Sequence, residues 1–412
     1  MSSTTTAVMS VHPQPGRIGG VRLHQVVLVE VAGALMLIAW VTDRMLLVPM
    51  GVVAAALVVL AVLRRRGRPV LEWLNTVMAL RARLRSARRP WSAEGVDPTL
   101  APVVECETAL RTYTYTDRQR ERGVGMVGDG TFLTALLLVQ PRDEPLRMAR
   151  NAQPLELGLL HDALEVDDIR LESVQVVQHT QPAPGPHLPP QAAAARSYAP
   201  LQAQVGTPSI RLTWIALKLD PELCPEAVSA RGGGIGGAQR ALLRATDQLA
   251  SRLAAAGFDA SVLTEAQVTS ALATSAGVNP QASAVAVRAD VATRRTAESA
   301  RAWRCDDRWH TTYWVGRWPH LGADAVPTAQ LVALLTSMPA LASTFSLAVS
   351  RGTGGAPALS GYVRLTASGS DELVSVRRQL ERAARGVKVS LVRLDREQLP
   401  GVLATLPLGG TR

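Results

Sequence analysis

Nineteen consecutive residues, Met45 to Leu63, carry no charge and no strongly polar side chain. As a helix rising 1.5 Å per residue, such a run would measure about 28 Å, close to the thickness of a bilayer's hydrocarbon core. Pro49 would fall in its first turn, where a missing N–H costs little. A second apolar segment, Leu23 to Val41, lies just upstream, interrupted by His24, Gln25 and Glu30, and the short link Thr42-Asp43-Arg44 separates the two. A cleaved signal peptide has one apolar run, so the pattern predicts a transmembrane hairpin of two helices, 23–41 and 45–63.

The distribution of charge leads in the same direction. The chain has a formal net charge of +10, a value that would suit a nucleic-acid binder. Nine arginines between Arg64 and Arg89, against the single Glu72, account for +8 of it. A nucleic-acid interface would spread its cations over a folded face, often between aromatics; these follow directly on an apolar run. They predict contact with anionic lipid and no nucleic-acid partner. Arg64, Arg65, Arg66 and Arg68, with Trp40 and Trp73 as interfacial aromatics, are the candidate lipid-contact residues. The bias places both ends of the hairpin on the cytoplasmic side of the membrane. Glu30 would be costly at membrane depth. Either it reaches the interface or it meets a polar group on another helix, which makes it a candidate subunit contact. Residues 1–22 read as an amino-terminal tail, and 64–102 as an Arg-rich helix followed by a linker.

The remainder predicts an α+β region built twice. In the second half, 309–406, a strand at Trp309–Val315 leads to a helix at Pro327–Met338 and alternating strands at Ser343–Ser350 and around Leu359–Leu365. A helix with Leu373, Val376, Leu380 and Ala384 on one face follows, then a strand at Val387–Arg393. The first half, 103–276, repeats the order: strand Thr131–Val139, helix Pro154–Leu164, strands Ile169–Gln178 and Ile210–Leu219, helix Ala238–Ala256, strand Asp259–Leu263. Leu263, Gln267 and Leu272 recur as Leu394, Gln398 and Leu403 at one constant offset. The order βαββαβ is that of the ferredoxin-like arrangement. The halves differ in a Pro-rich loop, 180–208, with prolines at 182, 184, 186, 189, 190, 200 and 208. A connector, 277–308, joins them, and 407–412 forms a tail. The strand Thr112–Thr116 and a turn at Asp129-Gly130 precede the first half.

Several motifs offer chemistry and withdraw it. Gly232-x-Gly234-x-x-Gly237 fits a dinucleotide fingerprint, but it starts a dozen residues after the preceding strand. Gly123-x-Gly125-x-x-Gly128 precedes a strand, and neither ends in Gly-Lys-Ser/Thr. Cys106, Cys224 and Cys305 stand more than 80 residues apart and make neither a disulfide framework nor a zinc site. The seven histidines follow no metal-ligand spacing, and His161 beside Asp162 is the nearest approach to an acid–base pair. Asp306-Asp307 could serve a glycosyltransferase-like envelope enzyme, although adjacent strand residues face opposite ways. No catalytic, cofactor or metal residue is assigned, and no small-molecule substrate is expected.

Four of the eight tryptophans fall between Trp303 and Trp318. On a regular strand Trp309, Tyr313 and Val315 share one face, and Trp314 and Trp318 share the other with His310 and Thr312. Aromatics on both faces suggest a strand covered from two sides, so Trp309, Trp314 and Trp318 are candidate subunit contacts.

Two local sequences carry a resemblance to a known family, Trp309-His310-Thr311-Thr312-Tyr313-Trp314-Val315 and Pro357-Ala358-Leu359-Ser360-Gly361-Tyr362-Val363-Arg364. With the apolar hairpin and Arg-rich exit, the chain resembles EccE of the mycobacterial type VII (ESX) secretion system. Basic residues that are arginine except for Lys218 and Lys388 suit the high-GC genomes in which that family occurs. The resemblance implies a structural, non-enzymatic membrane subunit. Its implied partners are EccB, EccD and the ATPase EccC, in a complex that exports folded helical pairs.

Overall fold

The structure is a computed structural model that describes residues 17–18, 21–42, 47–62, 64–65, 68–89, 95–117, 121–142, 154–182, 191–194, 196–197, 200, 209–289, 293–319, 328–352 and 357–410. The chain divides into two compact units, residues 12–90 and, in the main, Trp91–Arg412.

The smaller unit holds helices α1 (Leu23–Thr42), α2 (Leu47–Val62) and α3 (Val70–Ala87). Helices α1 and α2 lie against each other, and small residues on them, Ala32, Ala39 and Ala54, are buried. Larger apolar side chains such as Leu37, Ile38, Val48 and Val52 are exposed. The sequence predicted a transmembrane hairpin here. Among the described residues, however, no helix is long and apolar enough to cross a membrane. The physical reasons differ between the two helices. The 16 residues of α2 span about 24 Å, short of the roughly 30 Å core. Helix α1 begins on Leu23-His24-Gln25 and carries Glu30 in its first half. The hairpin and the multi-pass topology built on it are therefore withdrawn.

The larger unit is α+β, organised on one antiparallel sheet of 12 strands. In chain order it contains α4 (Ala101–Val104), β1 (Arg111–Asp117), β2 (Arg122–Gly128), β3 (Leu133–Pro141), α5 (Leu157–Asp162), β4 (Ser173–Pro182), β5 (Ser209–Leu219), α6 (Gly234–Ala255), β6 (Phe258–Val262) and α7 (Glu265–Ala276). Then follow α8 (Pro280–Ala289), β7 (Thr296–Glu298), β8 (Trp303–Cys305), β9 (Arg308–Arg317), α9 (Thr328–Thr336), β10 (Ala342–Arg351), β11 (Pro357–Ala367), α10 (Ser370–Gly386), β12 (Ser390–Arg393) and α11 (Gln398–Leu403). The strand order is β7-β8-β9-β11-β10-β4-β5-β3-β2-β1, with β6 also on β3 and β12 also on β9.

Within this order each half has the same plan. Strands β6-β3-β5-β4 and β12-β9-β11-β10 both run fourth, first, third, second, the ferredoxin-like order. The halves meet where their second strands pair, from Ser173 opposite Ser350 to Thr180 opposite Ser343. The connector supplies β7 and β8, which precede β9 as β1 and β2 precede β3. Most of the Pro-rich loop lies outside the described residues, but Pro182 still pairs with Ser209 at the ends of β4 and β5.

One face of the sheet is apolar. Helix α6 buries Ala238, Ala241, Leu242, Ala245, Leu249 and Leu253 against the first half, a stripe of helical period. Helix α10 buries Leu373, Val376, Leu380 and Ala384 against the second. Gly237, the third glycine of the fingerprint-like motif, owes its identity to packing: a Cβ there would stand 2.4 Å from the Val228 carbonyl oxygen. The opposite face is mixed. It is covered by α7, which starts on a capping box of Thr264 and Gln267, and by the segment from α11 to Gly410.

Candidate functional site

The predicted contact residues occupy different surroundings. Glu30 and Trp40 are exposed on α1, and Trp73 is half-buried in the first turn of α3. Arg64, Arg65 and Arg68 fall in two-residue strands, and Arg66 lies outside the described residues. Trp309 and Trp318 are half-buried against the second-half core, with Phe345 edge-on to Trp318 at 6.4 Å. Trp314 packs on the opposite face beside Tyr362, Leu394 and Ala404. The expected pairing of Trp318 with Trp314 is thus corrected. A break in register between Val315 and Arg317 inserts a bulge into β9, and one extra residue turns Trp318 to the face of Trp309. Gly361 completes that contact, since a Cβ there would stand 2.4 Å from the Trp318 ring.

The Asp306-Asp307 pair is committed to structure. It forms the two-residue turn between β8 and β9. Arg295 grips Asp306 with two hydrogen bonds of 2.7 Å, and the Asn279 backbone N–H donates to the same carboxylate at 2.9 Å. Asp307 accepts from the Asn279 side chain at 3.2 Å and pairs with Arg308 at 3.4 Å. Buried Glu105 continues the network, accepting from the backbone N–H groups of Arg295 and Thr296 and from the Thr296 hydroxyl. Burial raises the Glu105 carboxyl above its ordinary range, while those hydrogen bonds pull the other way. Burial also pushes the Cys106 thiol up to about 12 and Cys305 well above its usual value, so both are protonated at neutral pH. His161 and Asp162 are exposed on α5, and Asp162 pairs with Arg252 at 3.8 Å. Among the described residues no cluster could hold a metal ion.

The most demanding arrangement in the molecule was not foreseen. Across the mixed face, Thr312, Arg364, Thr344 and His179 stand directly opposite one another in β9, β11, β10 and β4. Arg364 is fully buried. Its Nη2 donates to the Ser275 carbonyl at the end of α7, to the Ser275 hydroxyl at 3.3 Å and to the Thr344 hydroxyl at 3.4 Å. A cation suits a helix carboxyl end, where the dipole is negative. His179 Nδ1 bonds the same Thr344 hydroxyl at 2.9 Å. His310 Nδ1 bonds Thr366 at 3.0 Å, and its ring lies 5.0 Å from that of Trp303.

The electrostatics are one-sided. Burial, and then the charge of Arg364, lowers His179 to about 3 and His310 well below the ordinary histidine value. Burial draws Arg364 down to about 9, which leaves it cationic at neutral pH. Arg364 Nε and Nη1, His310 Nε2 and Thr312 Oγ1 are buried without a hydrogen-bond partner. Sequence reading missed this site because Ser360, Tyr362, Arg364 and Thr366 alternate with Leu359, Gly361, Val363 and Leu365. Such a strand reads as one dry face and one wet one.

The carboxyl-terminal segment closes this face across both halves. Gln175 donates to the Ala404 carbonyl at 3.0 Å and accepts from the Gly409 N–H at 2.8 Å. Thr134 and Ser173 donate to the carbonyls of Leu408 and Gly409 at 2.9 and 2.5 Å, so part of the segment expected as a tail is built into the fold.

Residues 207–315 match the family described as "Putative type VII ESX secretion system translocon, EccE". No curated protein matches the chain. The matched stretch runs from the start of β5 to Val315 in β9. It contains the first of the two local sequences that carry the resemblance, and the second lies beyond it.

Proposed function

We propose that this EccE-family chain is a structural subunit that stabilises the membrane-associated assembly of a type VII (ESX) secretion system. The family match over residues 207–315 carries the reading. The engagement of Asp306 and Asp307 by Arg295, Asn279 and Arg308 supports it, because the groups that a glycosyltransferase-like enzyme would need already hold the β8–β9 turn. The continuous sheet provides a rigid body, and rigid elements position contacts better than loops do.

In this reading the partners are EccB, EccC and EccD. Half-buried Trp309, Trp314 and Trp318, together with exposed Glu30, face those subunits, since large aromatics with part of their surface open suit protein contacts. Arg64, Arg65, Arg66 and Arg68, with Trp40 and Trp73, contact anionic lipid headgroups. The test is gentle detergent extraction of the tagged protein from its native membrane, followed by native gel and mass spectrometry. Migration in a very large assembly with an ATPase is the expected result. Recovery as a free monomer, under conditions that leave the other subunits associated, would overturn the reading.

A further inference from the structure

We propose that the second half of the sheet binds a small monovalent anion, of the size of chloride, beside Arg364 and beneath α7. This site goes beyond the secretion reading and does not depend on it. A guanidinium stays protonated in proteins, and an unpaired buried charge is among the most costly features a fold can carry. Arg364 is buried completely, and no carboxylate pairs with it among the described residues. The acidic group that acts on it electrostatically is the Cys305 thiol, which burial keeps protonated. His179 and His310 cannot supply negative charge, and both are held neutral.

The unmet donors complete the argument. Two of the three guanidinium nitrogens, Nε and Nη1, have no partner, nor has the hydroxyl of Thr312 directly opposite Arg364. His310 Nε2 is equally unpartnered two residues along the same strand face. Water would satisfy hydrogen bonds and leave the charge uncompensated. An anion satisfies both, with Arg364 as its charge partner and the Thr312 hydroxyl as a further donor. The end of α7 meets Arg364, Trp303 lies 5.0 Å from the His310 ring, and the one further charge that acts on His310 is the cation of Arg308, so the shown neighbours favour an anion.

The test is thermal unfolding of the full chain in sodium chloride against sodium gluconate at matched ionic strength. Gluconate serves as the anion too large to enter. Above half-saturation chloride should raise the melting temperature in proportion to the logarithm of its concentration, by about 4 °C over a hundredfold range. Sodium bromide should reproduce the rise and give an anomalous diffraction peak beside Arg364 in crystals. Arg364→Met should abolish the difference between the two salts. Should that variant fail to fold, Thr312→Val should move the chloride concentration at which stabilisation sets in severalfold upward. Identical melting in chloride and gluconate, or a chloride effect that neither variant changes, would overturn the proposal.

Discussion

The two halves of the sheet reach the same point by the same backbone and then place opposite chemistry there. The Leu263 N–H donates to the Leu136 carbonyl at 3.0 Å, and the Leu394 N–H donates to the Thr312 carbonyl at 3.1 Å. Leu136 stands opposite Ala216 in the first half, where Thr312 stands opposite Arg364 in the second. All four are buried. One position is filled by methyl groups and the other by a full positive charge with its hydrogen-bonding neighbours. Strand order and register therefore do not dictate what the interior contains. The second half bears a desolvation cost that the first avoids.

The severest way to break the comparison is to import the charge into the first half. Ala216→Arg should destabilise the protein by more than about 4 kcal/mol, because the new cation meets Leu136 and Gln175, the residues opposite it, instead of a helix end. Denaturant unfolding measures this. A cost below about 1 kcal/mol would mean that the first half can also hold a buried cation, and the contrast would collapse.

The reverse exchange sharpens it. Arg364→Ala should cost about 3–5 kcal/mol, since it opens a cavity and strips Ser275 and Thr344 of their donor. Adding Thr312→Leu reproduces the first half's pair and should restore at least half of that loss, as replacement of buried charge by packed hydrocarbon often does. If the double variant is no better than the single one, the surroundings of Arg364, and not the pair itself, differ between the halves.

Much of this frame was legible in the sequence, for identifiable reasons. The core stripes of α6 and α10 show a helical period, and β3, β5, β10 and β11 lie in apolar or alternating runs bounded by turn residues. The pairing of β4 with β10 was not legible, because nothing local tells one strand that its neighbour lies about 170 residues away. Trp318 was placed on the wrong face because a bulge adds one residue to a count of two. Arg364 was overlooked because alternation in a strand cannot tell a solvated face from one that a helix covers. The second apolar amino-terminal run was read from hydropathy over Met45 to Leu63, a longer stretch than the 16 residues that α2 attains.

A smaller effect separates two glutamines that the duplication places at one offset. Gln267 completes a capping box, its Oε1 accepting from the Thr264 N–H at 2.9 Å. Gln398 turns inward instead: its Oε1 accepts from the Thr312 N–H at 2.9 Å and its Nε2 donates to the Leu394 carbonyl at 2.7 Å. Gln398→Ala should cost about 2 kcal/mol, since the buried Thr312 N–H loses its side-chain acceptor and the Leu394 carbonyl keeps only the Glu397 N–H. Gln267→Ala should cost about 0.5–1 kcal/mol, because water replaces an exposed cap. Equal losses would show that both glutamines act only as helix caps.

The gentlest probe is acid. In the unfolded chain His179 and His310 bind protons near pH 6.5, whereas in the folded protein His179 does so only near 3 and His310 well below its ordinary value. Between those limits the unfolded state holds more protons, so stability falls as pH decreases from about 6.5. Each histidine should remove about 1 kcal/mol for each pH unit below that point. Glu105 works against this trend: its raised folded value means that the native state gains a proton at a pH where the unfolded carboxyl is still ionised. His179→Gln and His310→Gln should each reduce the net slope between pH 6.5 and 5.5, and the double variant should reduce it most. The neutralised slope tests the mechanism directly. If His179 and His310 are held neutral by desolvation and by the charge of Arg364, then Arg364→Met should also flatten the slope, by letting the histidines titrate closer to their ordinary range. A slope that ignores Arg364 would assign the effect to burial alone, and the second half's charge would then act only on its immediate hydrogen-bond partners.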